Sequence, residues 1–139
     1  MVILDTNVVS EITRLNPEPR VLAWLDRQFA DQVFMTAISK AEIIFGLESM
    51  TVGKRRFELE ETYRRLFKTR FLGRVLPFEE DCAPYFARFA ASAIKRGASF
   101  ATADLQIAAI AAFNRFAVAT RNVDDFGHVD LQVINPWTD

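Results

Sequence analysis

Acidic residues recur in this chain at places where an α/β fold would gather them. Asp5 directly follows an apolar run at Val2–Leu4, and Glu42 opens the helical stretch after a second run at Val33–Ala37. Asp104 lies in the first turn of an Ala-rich segment, and Asp124 and Asp125 follow a further run at Phe116–Ala119. In open α/β sheets, ligands collect beyond the carboxyl ends of the strands. Carboxylate oxygens without histidine or thiolate suit hard ions such as Mg²⁺ or Mn²⁺. A site of that kind performs phosphoryl chemistry by activating water and neutralising charge on the phosphate.

Each acid also has a structural reading. Asp5 can cap a turn, and Glu42 can be the reciprocal member of a capping box with Ser39. Asp104 can favour its helix dipole, and Asp124 and Asp125 sit in a polar loop. The coincidence carries the functional reading. Were Asp5, Glu42 and Asp104 to converge about 5 Å apart, each like-charged pair would cost about 3 kcal/mol at an effective dielectric near 20. Three such pairs rival the whole stability of a domain, about 5–15 kcal/mol. A proton or a bound cation relieves the repulsion.

Other chemistries fit poorly. One histidine (His128) and one cysteine (Cys82) cannot build a His/Cys zinc site, an internal disulfide or a histidine-activated nucleophile of the usual kind. His128 lies in a polar loop and reads as surface. An aspartate-nucleophile phosphatase needs a second acid two residues after the first, where this chain has Asn7. Neither phosphate-binding glycine pattern occurs among the five glycines. A non-catalytic partner-binding module with an unused acidic pocket is the remaining rival, separable by Mn²⁺ titration. No apolar run nears the roughly 20 residues that span a bilayer. The first residues lack the pattern of a secretion signal, so a cytoplasmic location is expected.

The elements that must position these acids follow from hydrophobic spacing. Strands are expected at Val2–Leu4, Val33–Ala37, Arg74–Phe78, Phe116–Ala119 and Leu131–Ile134. Helices are expected at Val8–Arg14, Arg20–Phe29, Ser39–Met50, Arg56–Phe71, Glu80–Arg96 and Thr102–Phe113. In the fifth helix Phe86, Phe89, Ala90 and Ile94 share a side, and Gly97 is its expected cap. Strands interleaved with helices imply a parallel sheet covered on both faces, an α/β fold. With no repeat and no linker, residues 1–139 read as one domain. The net charge of −1 hides a basic segment: Lys54 to Arg74 holds eight basic residues against three acids, and the rest of the chain nine against fifteen. That segment is either a solvated helix face or a contact surface for phosphates or an acidic partner.

Several segments, in order and spacing, resemble the PIN-domain nucleases: Ile3-Leu4-Asp5-Thr6-Asn7, Ala41-Glu42, Thr102-Ala103-Asp104 and Thr120-Arg121-Asn122-Val123-Asp124-Asp125-Phe126. The ending Ile134-Asn135-Pro136-Trp137 resembles the VapC/FitB-like toxins of bacterial type II toxin–antitoxin pairs. The resemblance spans essentially the whole chain. It implies a five-stranded parallel sheet flanked by helices, a homodimer, and cleavage of RNA phosphodiesters with Mg²⁺ or Mn²⁺ held by Asp5, Glu42 and Asp104. It also implies a cognate VapB-like antitoxin that blocks the site and carries the complex to operator DNA. Family members often have a fourth acid just after the Thr-Arg pair. Here that position is Asn122, leaving Asn122 or Asp125 as the fourth ligand. Thr6 and Thr120 are then candidates to support the ligands through hydrogen bonds. Arg121 would either steady a phosphate or pair with Asp124 or Asp125.

Overall fold

The computed structural model describes all 139 residues. Five short parallel strands form one sheet: β1 (Val2–Leu4), β2 (Val33–Thr36), β3 (Val75–Leu76), β4 (Ala117–Ala119) and β5 (Val133–Ile134), in the order β3-β2-β1-β4-β5. Six α-helices cover it: α1 (Thr6–Ile12), α2 (Pro19–Asp26), α3 (Ala37–Glu48), α4 (Lys54–Lys68), α5 (Ala83–Lys95) and α6 (Thr102–Asn114).

Side chains alternate across the sheet, as the twofold period of a strand requires. Val2 and Leu4, Val33 and Met35, and Ala119 face one way and join Val8, Val9, Val21, Trp24, Leu25, Ile43, Leu47 and Tyr63 in the larger core beneath α1 to α4. Ile3 and Val118 face the other way, against Ile107 to Ala111 of α6, Cys82 and Phe126. Every residue of β1 is buried, so its Val-Ile-Leu run is apolar throughout rather than alternating.

The chain runs outward from β1 through β2 to β3, then returns through α5 and α6 to place β4 on the other side of β1. The direction of winding therefore reverses between β1 and β4. At such a switch point the loops leaving the two strands part and leave a crevice. Asp5 and Thr120 are the first residues beyond β1 and β4, and the Asp5 N–H donates to the Ala119 carbonyl across the pair (2.9 Å).

Several boundaries differ from the sequence expectation. α1 begins at Thr6 because Asp5 itself caps it, its carboxylate accepting from the Thr6 N–H. α3 begins at Ala37, not Ser39: the Thr36 hydroxyl accepts from the Ser39 N–H (3.0 Å). The Ser39–Glu42 capping box is thus not formed, since a better-placed hydroxyl sits one turn earlier. The segment expected to be one helix from Glu80 begins as a 3₁₀ turn (Glu80–Cys82) and becomes α5 at Ala83, with Pro84 in the first turn, where its missing N–H costs nothing. Gly97, at φ +67°, ends α5 with the Gly97 and Ala98 N–H groups donating back to Ile94 and Ala93, the paired pattern of a left-handed cap. Ile94 is 69% exposed, so the apolar side of α5 runs through Phe86, Phe89 and Ala93 instead.

The basic segment is largely a solvated helix. Along α4, Lys54 pairs with Glu58, Arg56 with Glu60 and Glu48, and Arg64 with Glu61. The exposed pairs Lys54–Glu58 and Arg64–Glu61 contribute little to stability.

Candidate functional site

The crevice at the switch point is an open cavity of about 490 Å³. Asp5, Glu42, Asp104, Arg121 and Asn122 all line it, together with Thr6 and Asn7. Three acids are thereby brought together from far apart in the chain. Asp5 ends β1, Glu42 projects from the second turn of α3, and Asp104 lies in the first turn of α6.

Asp5 is 4% exposed and densely wired. Its Oδ1 accepts from the Thr6 N–H (2.8 Å), and its Oδ2 from the Thr120 hydroxyl (2.8 Å) and the Asn7 amide (3.0 Å). The same Asn7 amide also donates to the Thr120 oxygen, and the Asn7 carbonyl oxygen accepts from the Arg121 N–H (3.1 Å). Asn7 is therefore the clasp between the β1 and β4 loops. The amide at this position holds Asp5 as a donor, which suits a fixed carboxylate and not the general acid of a phosphatase. Thr6 extends the wiring sideways: its hydroxyl donates to Glu42 Oε1 (2.8 Å). Glu42, released from any cap, points to the cavity instead.

Burial raises the Asp5 carboxyl above the ordinary range; the Thr120 and Thr6 hydrogen bonds pull it back in part, and Glu42 and Asp125 push it up again. Asp104 has no such hydrogen bonds. Burial first, then the charges of Asp5, Asp125 and Glu42, push its carboxyl up to about 6. Asp125 thus acts on both carboxylates through its charge, but it lines a smaller cleft behind Asp104, with Asp124 and His128, rather than the main cavity. Asn122 lines the main cavity, its N–H bound to the Thr120 hydroxyl (3.0 Å).

As they stand, no three His, Cys, Asp or Glu side chains are drawn tightly enough to form a finished ligand cage. The donor set nevertheless fits a hard divalent ion. It offers only oxygens, neighbouring acids raise the proton affinity of Asp5 and Asp104, and Thr120, Thr6 and Asn7 already hold Asp5 and Glu42 in fixed orientations. A divalent cation would replace that excess of protons.

The sequence reading left four cavity residues unassigned: Ser10, Glu11, Arg14 and Trp137. Ser10 and Glu11 follow Asn7 at three and four positions along α1 and Arg14 at seven, just past its end, a helical spacing that was available as a signal. Glu11 is buried because its carboxylate accepts from the Glu18 N–H (2.8 Å) and meets Arg14 (3.3 Å). Arg121 forms no salt bridge with Asp124, Asp125 or any other acid; its guanidinium lies over the Trp137 ring, 5.4 Å from the centroid.

The fold that carries this cavity has known counterparts. The PIN domain model matches residues 2–131. The chain belongs to the PIN-domain family. Among its relatives, this PIN domain is 40% identical over 137 residues to the VapC ribonuclease Y4jK of Sinorhizobium fredii, a match that covers 99% of this chain and 98% of that one. It is likewise 40% identical to the toxin FitB of Neisseria gonorrhoeae, over 100% of both chains. The solved structure of FitAB bound to an IR36 DNA fragment superposes with a TM-score of 0.92 at 39% identity, over 100% of this chain and 97% of that one. The five-stranded parallel sheet expected from the resemblance is the fold observed.

Proposed function

We propose that this PIN domain is the toxin of a type II toxin–antitoxin pair and a Mg²⁺- or Mn²⁺-dependent ribonuclease, with residues 1–139 acting as one nuclease unit. The observation that carries the reading is the convergence of Asp5, Glu42 and Asp104 on one cavity at the switch point, with the Asp5 and Asp104 carboxyls raised. The ribonuclease and toxin names of its full-length relatives point the same way.

Asp5 and Asp104 would hold the ion directly and Glu42 directly or through water, with Asn122 or Asp125 as the further ligand. When bound, a divalent ion lowers the pKa of a water for in-line attack and neutralises charge on the scissile phosphate. The remaining work belongs to side chains. Thr120 and Asn7 hold Asp5 in one rotamer, and Thr6 holds Glu42, so both acids are oriented before substrate arrives. Arg121, free of any acid, is placed to receive a phosphate of the RNA.

The same reading supplies the partners. A VapB-like antitoxin would block the cavity, and operator DNA would be bound through that antitoxin; FitAB, a similar structure, is bound to an IR36 DNA fragment. The toxin would act as a homodimer in the cytoplasm; no helix is long and apolar enough to cross a membrane.

The test is to map new 5′ ends of cellular RNA after brief expression, with purified protein assayed in parallel. Wild type should generate discrete new ends. Asp5→Asn and Asp104→Asn should each lower cleavage by about 100-fold or more while remaining folded by circular dichroism. Cleavage by either folded variant at the wild-type rate would refute the assignment.

A further inference from the structure

The ending Ile134-Asn135-Pro136-Trp137 has no role in the chemistry above, yet Trp137 is the one hydrophobic residue lining the acidic cavity. The chain end is closed on itself there. The Trp137 N–H donates to the Asn135 side-chain oxygen (3.0 Å), and the Asn135 N–H donates to Asp139 Oδ2 (2.8 Å). The Asp139 N–H returns to the Asn135 carbonyl (2.8 Å). Arg20 of α2 reaches across to the Trp137 carbonyl (3.4 Å), and the indole packs on the larger core. The Trp137 backbone is therefore held at both its N–H and its carbonyl, the indole is seated on the core, and the Arg121 guanidinium lies over the ring.

That contact matters because of what else surrounds Arg121. A guanidinium lining a cavity with four carboxylates, Asp5, Glu11, Glu42 and Asp104, should be captured by one of them, forming a bidentate pair. Such capture would neutralise an acid and remove the cation from solvent. No carboxylate lies within 4.0 Å of it. Its backbone is tethered to Asn7, while its guanidinium lies over the indole. The electron-rich ring face attracts a cation without hydrogen-bonding it, so the guanidinium keeps its N–H donors available.

Resting on the nuclease reading, we propose that Trp137 is a positioning residue. It parks Arg121 at the rim of the cavity, away from the acids, with its donors free for a phosphate flanking the scissile bond of single-stranded RNA. Trp137 itself touches no reacting atom. The four-residue ending thus serves the substrate-binding step, and Asn135 and Arg20 serve it by fixing the ring.

The experiment measures kcat and KM on a fluorescein-labelled RNA that wild type cuts, for Trp137→Leu, Trp137→Phe, Arg121→Ala and the double variant Arg121→Ala/Trp137→Leu. Trp137→Leu should raise KM about two- to fivefold, the range of a solvent-exposed cation–π contact, with kcat changed by less than that. Trp137→Phe should fall between it and wild type. The double variant should be no worse than Arg121→Ala alone, because the ring acts through the arginine. Arg121→Ala should also flatten the salt dependence of kcat/KM by about 0.7 in slope, one phosphate contact on a single strand.

Trp137→Leu with unchanged KM, or with kcat lost instead, overturns the proposal and leaves the nuclease standing. Additive losses in the double variant overturn it as well. If Trp137→Leu fails to fold, as judged by circular dichroism, Trp137→Phe decides: wild-type KM in that variant overturns the proposal. A wild-type protein that cuts no RNA brings down the nuclease reading itself.

Discussion

Asp5 illustrates how a single side chain does two jobs. Its Oδ1 caps α1 and its Oδ2 takes one donor from Asn7 of α1 and one from Thr120 beyond β4, so the carboxylate is both a structural corner and the most buried acid of the cavity. Thr120 is the residue on which this arrangement turns. It is fully buried, donates to Asp5, and accepts from both Asn7 and the Asn122 N–H. Replacing it with valine keeps the shape and strands those donors. Thr120→Val should lose about 1–3 kcal/mol in urea denaturation and weaken Mn²⁺ binding by calorimetry about 10- to 100-fold; unchanged affinity would show that Asp5 needs no such support. The acids themselves were legible in the sequence because Asp5 and Glu42 come after apolar runs and Asp104 opens an Ala-rich helix. Their supports were partly so: Thr6 and Thr120 adjoin the quoted motifs, but that Asn7 clasps two loops depends on β4 lying beside β1. Only the three-dimensional pairing brings positions 7 and 120 together.

At the scale of elements, the alternation of strands and helices was readable from hydrophobic spacing, and all five strands and six helices exist near their expected places. Boundaries were less readable, for a physical reason. Where two hydroxyls compete to cap one helix, sequence alone does not say which backbone turn comes first. Ser39 with Glu42 has the capping-box spacing, yet Thr36 caps α3 because β2 ends there and its side chain reaches the Ser39 N–H. The difference is functional, since it frees Glu42 for the cavity. The two choices predict opposite orders of stability. Thr36→Ala should lose about 1–2 kcal/mol in urea denaturation, the usual cost of a helix cap, and Ser39→Ala less than about half of that. The reverse order would restore the capping box. The shortest strands, β3 and β5, have two residues each and only half-buried side chains, too little pattern to locate their ends.

At the scale of the whole molecule, two apolar layers hold the strands rigidly, and the acids are collected where the winding reverses between them. The fold therefore stores electrostatic repulsion that an ion would release, and its stability should depend on pH in a particular sense. The Asp104 carboxyl stands at about 6 in the folded protein against an ordinary 3.8. Between those values the folded form binds more protons than the unfolded chain, so this group's contribution is fully present below pH 3.8 and lost as pH rises through 6. Because water still screens part of the carboxyl, the contribution is about 1–2 kcal/mol, or about 3–8 °C in Tm. Metal-free wild type should then lose about half of that between pH 5 and pH 7.5, the rest having gone below pH 5, relative to Asp104→Asn, in which the titrating group is gone. Adding Mn²⁺ at about 100 times its Kd should return about 2.7 kcal/mol at pH 7.5. The gain should be much smaller at pH 5, where protons compete for the same oxygens. Asp104→Asn should show neither the pH step nor most of the Mn²⁺ gain. Calorimetric scans of both proteins at the two pH values, with EDTA and with Mn²⁺, decide the matter. Parallel behaviour of wild type and variant in all four conditions would mean that the acids at the switch point are already at ease, and that no cation is needed to hold them together.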